Sequence, residues 1–474
     1  MKSHSKNILS LFGYDFANRL LGFVVTAYIA RTFGVDGFGA INYGIAILAF
    51  MILFASPGVH IIGTRLVSQQ IGGDAPLIRK ITTVRFILAI LLCAVVISAS
   101  FLFIVSTELR FIVALYALSI LPFAFQIEWF FQGKERIDII GMNRFLATFV
   151  FTIAVFSLAK LTPSLFIVPI SFFVSSVVNA AALFIAMKKK NAALDTGKSR
   201  VDSADFGSIS WHSLLSQSLP VGLAGILAQI VLNLPVFLLG IFSTTTEIGN
   251  YSAASKIVFF LLAIDRAIYF LFYPLIARNF SLAPENVPAH VHRAVRYVFL
   301  AAVPLCIGGV ILAEPIIHLI FGSGYGTAGV LLQILIFYFL FTILNSIFAY
   351  VLIAGGKEKR YSAITISISS VLIIVLIAAT AWWSAFGAAV TMAAGEGIMM
   401  AVMFYEVKKI VGIKNYSFVL ATLFSSAAMA VSIFSLRYNP IAAILIGIII
   451  YCSCLVLFKG VTKNDLIFLK ERLV

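Results

Sequence analysis

Fourteen apolar runs follow one another along this chain, each of a length that can cross a bilayer as a helix, roughly 17–25 residues. They fall at 8–30, 38–62, 81–105, 109–131, 141–160, 165–187, 218–240, 251–276, 297–320, 327–354, 362–382, 387–405, 417–436 and 441–458. Some gaps, such as Ser106 to Glu108 or Thr162 to Ser164, leave room only for a hairpin turn. Transmembrane strands would instead alternate every second residue over about ten positions. Charged residues are 11% of the chain, against about a quarter in soluble domains, too few to cover globules in water. The expectation is an all-α polytopic membrane protein of about fourteen transmembrane helices.

The chain carries a net charge of +15, and the position of the positives decides what that means. With the N-terminus inside, 26 of the 34 Lys and Arg fall in internal segments or at the span ends bordering them, four in external segments or at their bordering span ends, and four deeper within spans: Arg19, Arg85, Lys256 and Arg266. Such asymmetry is the positive-inside signal and predicts that both termini are cytoplasmic. The basic residues are spread over eight short segments with no stripe, which argues against nucleic acid and fits anionic inner-leaflet lipid. Cys93, Cys306, Cys452 and Cys454 all fall inside spans, without disulfide or zinc spacing. The first run reads as a signal anchor, because no small-residue cleavage site follows it.

The two halves echo each other. IEWFFQGKERI (Ile127 to Ile137) and VLIAGGKEKRYSAI (Val351 to Ile364) stand after the fourth and tenth spans, and Gly133-Lys134-Glu135 matches Gly356-Lys357-Glu358. Between the first two spans, FGVDGFGAINY (Phe33 to Tyr43) loosely matches FSTTTEIGNYSAA (Phe242 to Ala254), with Gly39 over Gly249. A duplicated six-helix unit is one reading and convergent turn chemistry is the other. A parallel duplication would place a central site between two lobes. The domain expectation is a first lobe at 1–190, a loop at 191–217, a second lobe at 218–405, and two extra helices with a tail at 406–474.

Charges near mid-bilayer cost about 2.5–3.5 kcal/mol, so those that survive usually face a cavity or a partner. Arg19 and Arg266 suit a diphosphate, which a guanidinium fork holds in two places. Lys256 and the helix-7 pair Gln229 and Asn233 are further lining candidates; Asp15, Asp265 and Glu396 are candidates for ion coupling. A structural reading stands beside each: Asp15 and Arg19 are i,i+4 neighbours able to pair, and Asp265 can pair with a neighbouring helix. Arg85 is expected to snorkel from the inner end of its span, and Glu128 and Glu314 to serve helix ends. No catalytic constellation, metal spacing, Walker loop or dinucleotide fingerprint stands out. The expectation is a protein without cofactor or metal, and not an enzyme.

Five stretches together resemble the bacterial polysaccharide transporters of the multidrug/oligosaccharidyl-lipid/polysaccharide exporter superfamily, nearest its O-antigen flippases. They are IARTFGVDGFGAINY (Ile29 to Tyr43), GVHIIGTRLVSQ (Gly58 to Gln69), EWFFQGKERI (Glu128 to Ile137), GNYSAASKI (Gly249 to Ile257) and AEPIIHLIFG (Ala313 to Gly322). The resemblance implies two six-helix lobes of MATE-like fold working by alternating access, here with two additional C-terminal helices. It implies a substrate of undecaprenyl-diphosphate-linked oligosaccharide, moved across the bacterial cytoplasmic (inner) membrane. A polysaccharide polymerase and a chain-length regulator are implied partners, and Arg65 joins Arg19 and Arg266 as an implied substrate contact. A cation-coupled multidrug exporter of the same superfamily is the alternative, and Asp15 would suit its cation site. A membrane glycosyltransferase or ligase would need a large extramembrane loop, and no external loop here exceeds about ten residues.

Overall fold

Within hydrocarbon every backbone polar group has to be satisfied inside the chain, and this chain does so as helix. The computed structural model describes residues 2–56, 58–69, 74–194, 229–411, 417–458 and 460. Its helices run α1 Lys2–Ala55, α2 Val59–Ser68, α3 Asp74–Phe103, α4 Thr107–Leu118, α5 Ile120–Ala124, α6 Glu128–Gly133, α7 Ile137–Leu161 and α8 Ile167–Leu194. They continue as α9 Gln229–Phe242, α10 Thr245–Leu261, α11 Ala263–Leu282, α12 Val287–Ile311 and α13 Ala313–Phe321. The last are α14 Ala328–Ala354, α15 Glu358–Val411, α16 Ser417–Ser435 and α17 Pro440–Leu457.

Among the described residues, eleven helical stretches are long and apolar enough to cross a bilayer, and two of these hold two spans each. In α1 the helix breaks at Gly34, whose φ of 68° suits a residue without Cβ. Asn18 and Leu48, thirty residues apart, line one cavity, whereas a straight helix would separate them by about 45 Å. In α15 the break is at Ser384, with φ 53°. There the chain doubles back so closely that a Cβ on Gly395 would lie 2.3 Å from the side chain of Leu372. The described helices fall on every one of the fourteen apolar runs, although α9 covers only 229–240 of the seventh, whose residues 218–228 lie outside the described residues.

Several spans expected to be continuous are broken, and proline explains two of the breaks. A proline ring clashes with the carbonyl four residues before it. Pro122 stands four residues after Leu118, where α4 ends, and Pro315 four after Ile311, where α12 ends. The fourth span is therefore three pieces, α4, α5 and α6.

The repeat echo reappears in backbone geometry, in a shifted register. After α6, Glu135 N–H donates to Gln132 O and Arg136 N–H to Phe131 O, with Glu135 at φ 58°. After α14, Gly356 N–H donates to Ile353 O and Lys357 N–H to Leu352 O, with Gly356 at φ 69°. Both are the same left-handed helix stop. Glu135 thus corresponds to Gly356, two positions away from the Gly-Lys-Glu match. In the second pair of segments the shared feature is a buried Asn-Tyr. The Asn42 and Asn250 side chains donate to the Phe38 and Thr246 carbonyls at 2.8 and 3.0 Å.

The described helices cluster into two units, Met1–Ile241 and Phe242–Val474, so that α9 counts with the first. Residues 195–217 of the expected inter-lobe loop and 461–474 of the tail lie outside the described residues. In the first unit, α1 packs on α4 and α7, with Tyr28 stacked on Phe156 at 4.0 Å. Helices α2 and α6 approach through glycine: a Cβ on Gly133 would lie 2.8 Å from the Thr64 carbonyl. In the second unit α14 is central, touching α10, α11, α12, α13 and α15. The terminal hairpin of α16 and α17 is fastened to α12 by the Tyr451 hydroxyl, which donates to Leu300 O at 2.6 Å. Outward faces are apolar, with Leu91 and Val95 of α3 58% and 63% exposed, as suits contact with lipid.

Candidate functional site

Breaking the fourth span frees backbone carbonyls inside an apolar bundle, and each needs a donor. Arg85 of α3 supplies them. Its Nη1 donates to Gln126 O at 2.7 Å and its Nη2 to Phe123 O at 2.9 Å, holding the α5–α6 junction open. The expectation that Arg85 snorkels outward is therefore wrong: it is 3% exposed and turned inward. Removing it would leave two carbonyls unmet, at a cost of about 1–3 kcal/mol each.

The opened junction forms one wall of a cavity of about 600 Å³ inside the first unit, reached by Ser56, His60, Arg85, Glu128, Arg144 and Gln229 among others. A second cavity of about 280 Å³ shares Phe123, Gln126 and Arg144 with it and extends to Asn18, Ser175 and Asn179. Arg144 of α7 stands on the shared wall and is held by Glu128 at the start of α6. Its Nε donates to both carboxylate oxygens at 3.1 Å, and its Nη2 to one of them at 2.5 Å. The cavities thus form a chamber in which amide, hydroxyl, guanidinium and carboxylate groups interrupt an apolar lining, walled chiefly by α1, α2, α3, α5, α6, α7, α8 and α9. Sequence reasoning assigned Glu128 to a helix end and did not single out Arg144. Pro122 within an otherwise apolar span was the available signal, because it announces a broken helix.

The other expected site residues distribute as follows. Arg19 is half-buried in α1, and its Nε donates to Asp15 Oδ2 at 3.1 Å. The i,i+4 pairing is therefore present. Arg65 is exposed in the last turn of α2. Gln229 lines the larger cavity, while Asn233 turns back and donates to the Gln229 carbonyl at 2.9 Å. These belong to the first unit.

In the second unit, Arg266 is exposed on α11 and Lys256 is half-buried in α10. Two carboxylates meet α14: Asp265 accepts from the Tyr350 hydroxyl at 3.3 Å, and Glu396 accepts from the Asn345 amide at 2.8 Å. Within α13, Glu314 reaches His318 at 3.9 Å. All four cysteines are free thiols.

A helical bundle with a lipid-facing exterior and polar chambers within is the construction of a multi-pass membrane transporter. The chain belongs to the polysaccharide biosynthesis protein family, whose model matches residues 5–280. It is 23% identical over 421 residues to the protein of Escherichia coli (strain K12) named "Putative O-antigen transporter", covering 85% of this chain and 96% of that one. A protein of the same name from Shigella dysenteriae is 22% identical, with 85% and 100% covered. Among solved structures, the lipid II flippase MurJ in an inward closed conformation aligns with a TM-score of 0.73 and 17% identity, over 96% of this chain and 99% of that one. An inward-facing multidrug resistance MATE family transporter aligns with a TM-score of 0.65 and 13% identity, over 84% and 95%. The fold is that of this transporter superfamily.

Proposed function

We propose that the protein is a flippase that moves an undecaprenyl-diphosphate-linked oligosaccharide, of the O-antigen repeat-unit kind, across the cytoplasmic membrane by alternating access. Family membership and the two O-antigen transporter relatives, matched along 85% of the chain, support the substrate class. The carrying observation is the chamber itself: it offers charged and amide groups, and room for a small polar group, inside a bundle whose exterior suits lipid. A flippase needs that combination, since it lowers the barrier to passage of a polar headgroup while its lipid tail stays in hydrocarbon.

Contacts to the diphosphate are assigned to Arg19 and Arg266, with Arg65 and Lys256 as further candidates and Gln229 and Asn233 as polar lining. The 26 internal positives support a reading with cytoplasmic termini and with the end of the first unit bearing Arg65 and Lys134 at the inner face. A polymerase and a chain-length regulator are the partners such a product requires outside. For ion coupling, Asp265 and Glu396 are the better candidates: their partners are neutral donors, Tyr350 and Ser346 for Asp265 and Asn345 for Glu396, whereas Asp15 is already engaged by Arg19. That engagement also weighs against a cationic-drug site on Asp15.

The test is complementation in cells lacking their own O-antigen flippase, with protein levels matched. Arg19→Ala and Arg266→Ala are each expected to abolish surface polysaccharide, and Arg→Lys to restore it in part. Full activity of both Ala variants would refute the assignment.

A further inference from the structure

Among the described residues, four buried polar atoms of chamber-lining residues have no hydrogen-bond partner: Arg85 Nε, Trp129 Nε1 and Ser56 Oγ at the larger cavity and Asn18 Oδ1 at the smaller. Buried polar groups are nearly always satisfied, so orphans around two adjoining cavities point to what the cavities are built to hold. Their chemistry is mixed. Arg85 Nε and Trp129 Nε1 can only donate, Asn18 Oδ1 can only accept, and the Ser56 hydroxyl does either.

That mixture discriminates between ligands. A diphosphate is purely an acceptor; it would leave Asn18 Oδ1 unmet and would face the Glu128 carboxylate. The two arginines add little net attraction for it. Both Nη groups of Arg85 are spent on the Gln126 and Phe123 carbonyls, and Arg144 is neutralised by Glu128. A sugar hydroxyl donates and accepts at once, and so meets every one of these groups. The volume of about 600 Å³ lies in the range of small-molecule pockets, about 300–1,000 Å³.

We infer that this chamber of the first unit is a binding site for a neutral sugar ring, the part of the cargo next to the diphosphate, with Asn18 and Gln126 setting specificity. The inference rests on the flippase reading and adds to it a second contact region, distinct from the diphosphate-binding arginines. Gln126 carries the same role as Asn18 because it lies on the wall common to both cavities.

The experiment uses the full chain in nanodiscs and two kinds of probe. One is undecaprenyl diphosphate without sugar. The other is the same lipid carrying a single glucose, galactose, N-acetylglucosamine or N-acetylgalactosamine. Wild type is expected to bind at least one sugar-bearing lipid about tenfold more tightly than the bare lipid, the gain of roughly one well-made hydrogen bond. Asn18→Ala and Gln126→Ala are expected to bring that ratio close to one while leaving bare-lipid affinity unchanged. If either Ala variant loses thermal stability, Asn18→Leu and Gln126→Met replace them with similar volume and no added charge, and the same loss is expected.

A wild-type ratio near one with firm binding of the bare lipid would overturn the sugar chamber alone. So would a ratio that survives both substitutions, or a loss of bare-lipid affinity in step with it, which would make the chamber a diphosphate site. Failure of wild type to bind any of these lipids better than ordinary phospholipid would overturn the flippase reading with it.

Discussion

Glu128 and Arg144 form a two-pronged ion pair across sixteen residues, and it stands where the two cavities of the first unit meet. A pair in that position shapes the chamber and also keeps a guanidinium from attracting anions into it. Reversing one charge places two like charges against each other; reversing both restores the pair. Glu128→Arg and Arg144→Glu are each expected to lose polysaccharide export by at least about tenfold, and the double variant to regain much of it. Complementation with matched protein levels measures this. Additive loss in the double variant would mean the two side chains act separately.

Arg85 is expected to be structurally indispensable, because no other side chain can fork to two carbonyls from the same position. Arg85→Ala should destabilise the first unit by about 2–5 kcal/mol, through two unmet carbonyls and the cavity left behind. Arg85→Lys should recover only part of that, since an ammonium on a single stem cannot reproduce the planar fork. Thermal unfolding of the purified protein in detergent reads both.

Glu135 and Gly356 occupy the same left-handed position in matching helix stops, which makes them a natural control pair. A side chain costs about 1–2 kcal/mol there. Glu135→Gly should raise the unfolding temperature and Gly356→Ala should lower it. Shifts of the same sign would show that the two stops are not equivalent.

Gly240 of α9 sits on the Tyr43 ring so closely that an added Cβ would fall 1.8 Å from Cε2. Gly240→Leu should push α9 off α1 and cost about 1–3 kcal/mol in overpacking. Tyr43→Ala in the same chain should relieve it, and the unfolding temperature of the double variant should exceed that of Gly240→Leu.

The membrane class and the fourteen apolar runs could be read from hydropathy alone, because spanning length is imposed by the bilayer and appears in any single stretch of sequence. The double spans in α1 and α15 were also anticipated, since each holds two runs. The polar chamber was not. Arg85 sits near a span end, where snorkelling is the local expectation, and its true partners lie 38 and 41 residues downstream. Only the break at Pro122 brings those carbonyls within reach. Glu128 and Arg144 likewise look like ordinary loop charges until the turn after α6 folds one over the other. The Asp15–Arg19 pair, by contrast, is a local i,i+4 contact and was legible as one of two readings.

The central claim is that this chain carries a lipid-linked oligosaccharide through the bilayer. The most direct measurement reconstitutes the purified full chain in proteoliposomes with undecaprenyl-diphosphate-linked oligosaccharide and follows exposure of the sugar to an external lectin or glycosidase over time. The account predicts translocation well above that of protein-free vesicles, lost in Arg19→Ala and Arg266→Ala. Wild-type vesicles that expose sugar no faster than empty ones, under an imposed proton gradient and membrane potential as well as without them, would contradict it.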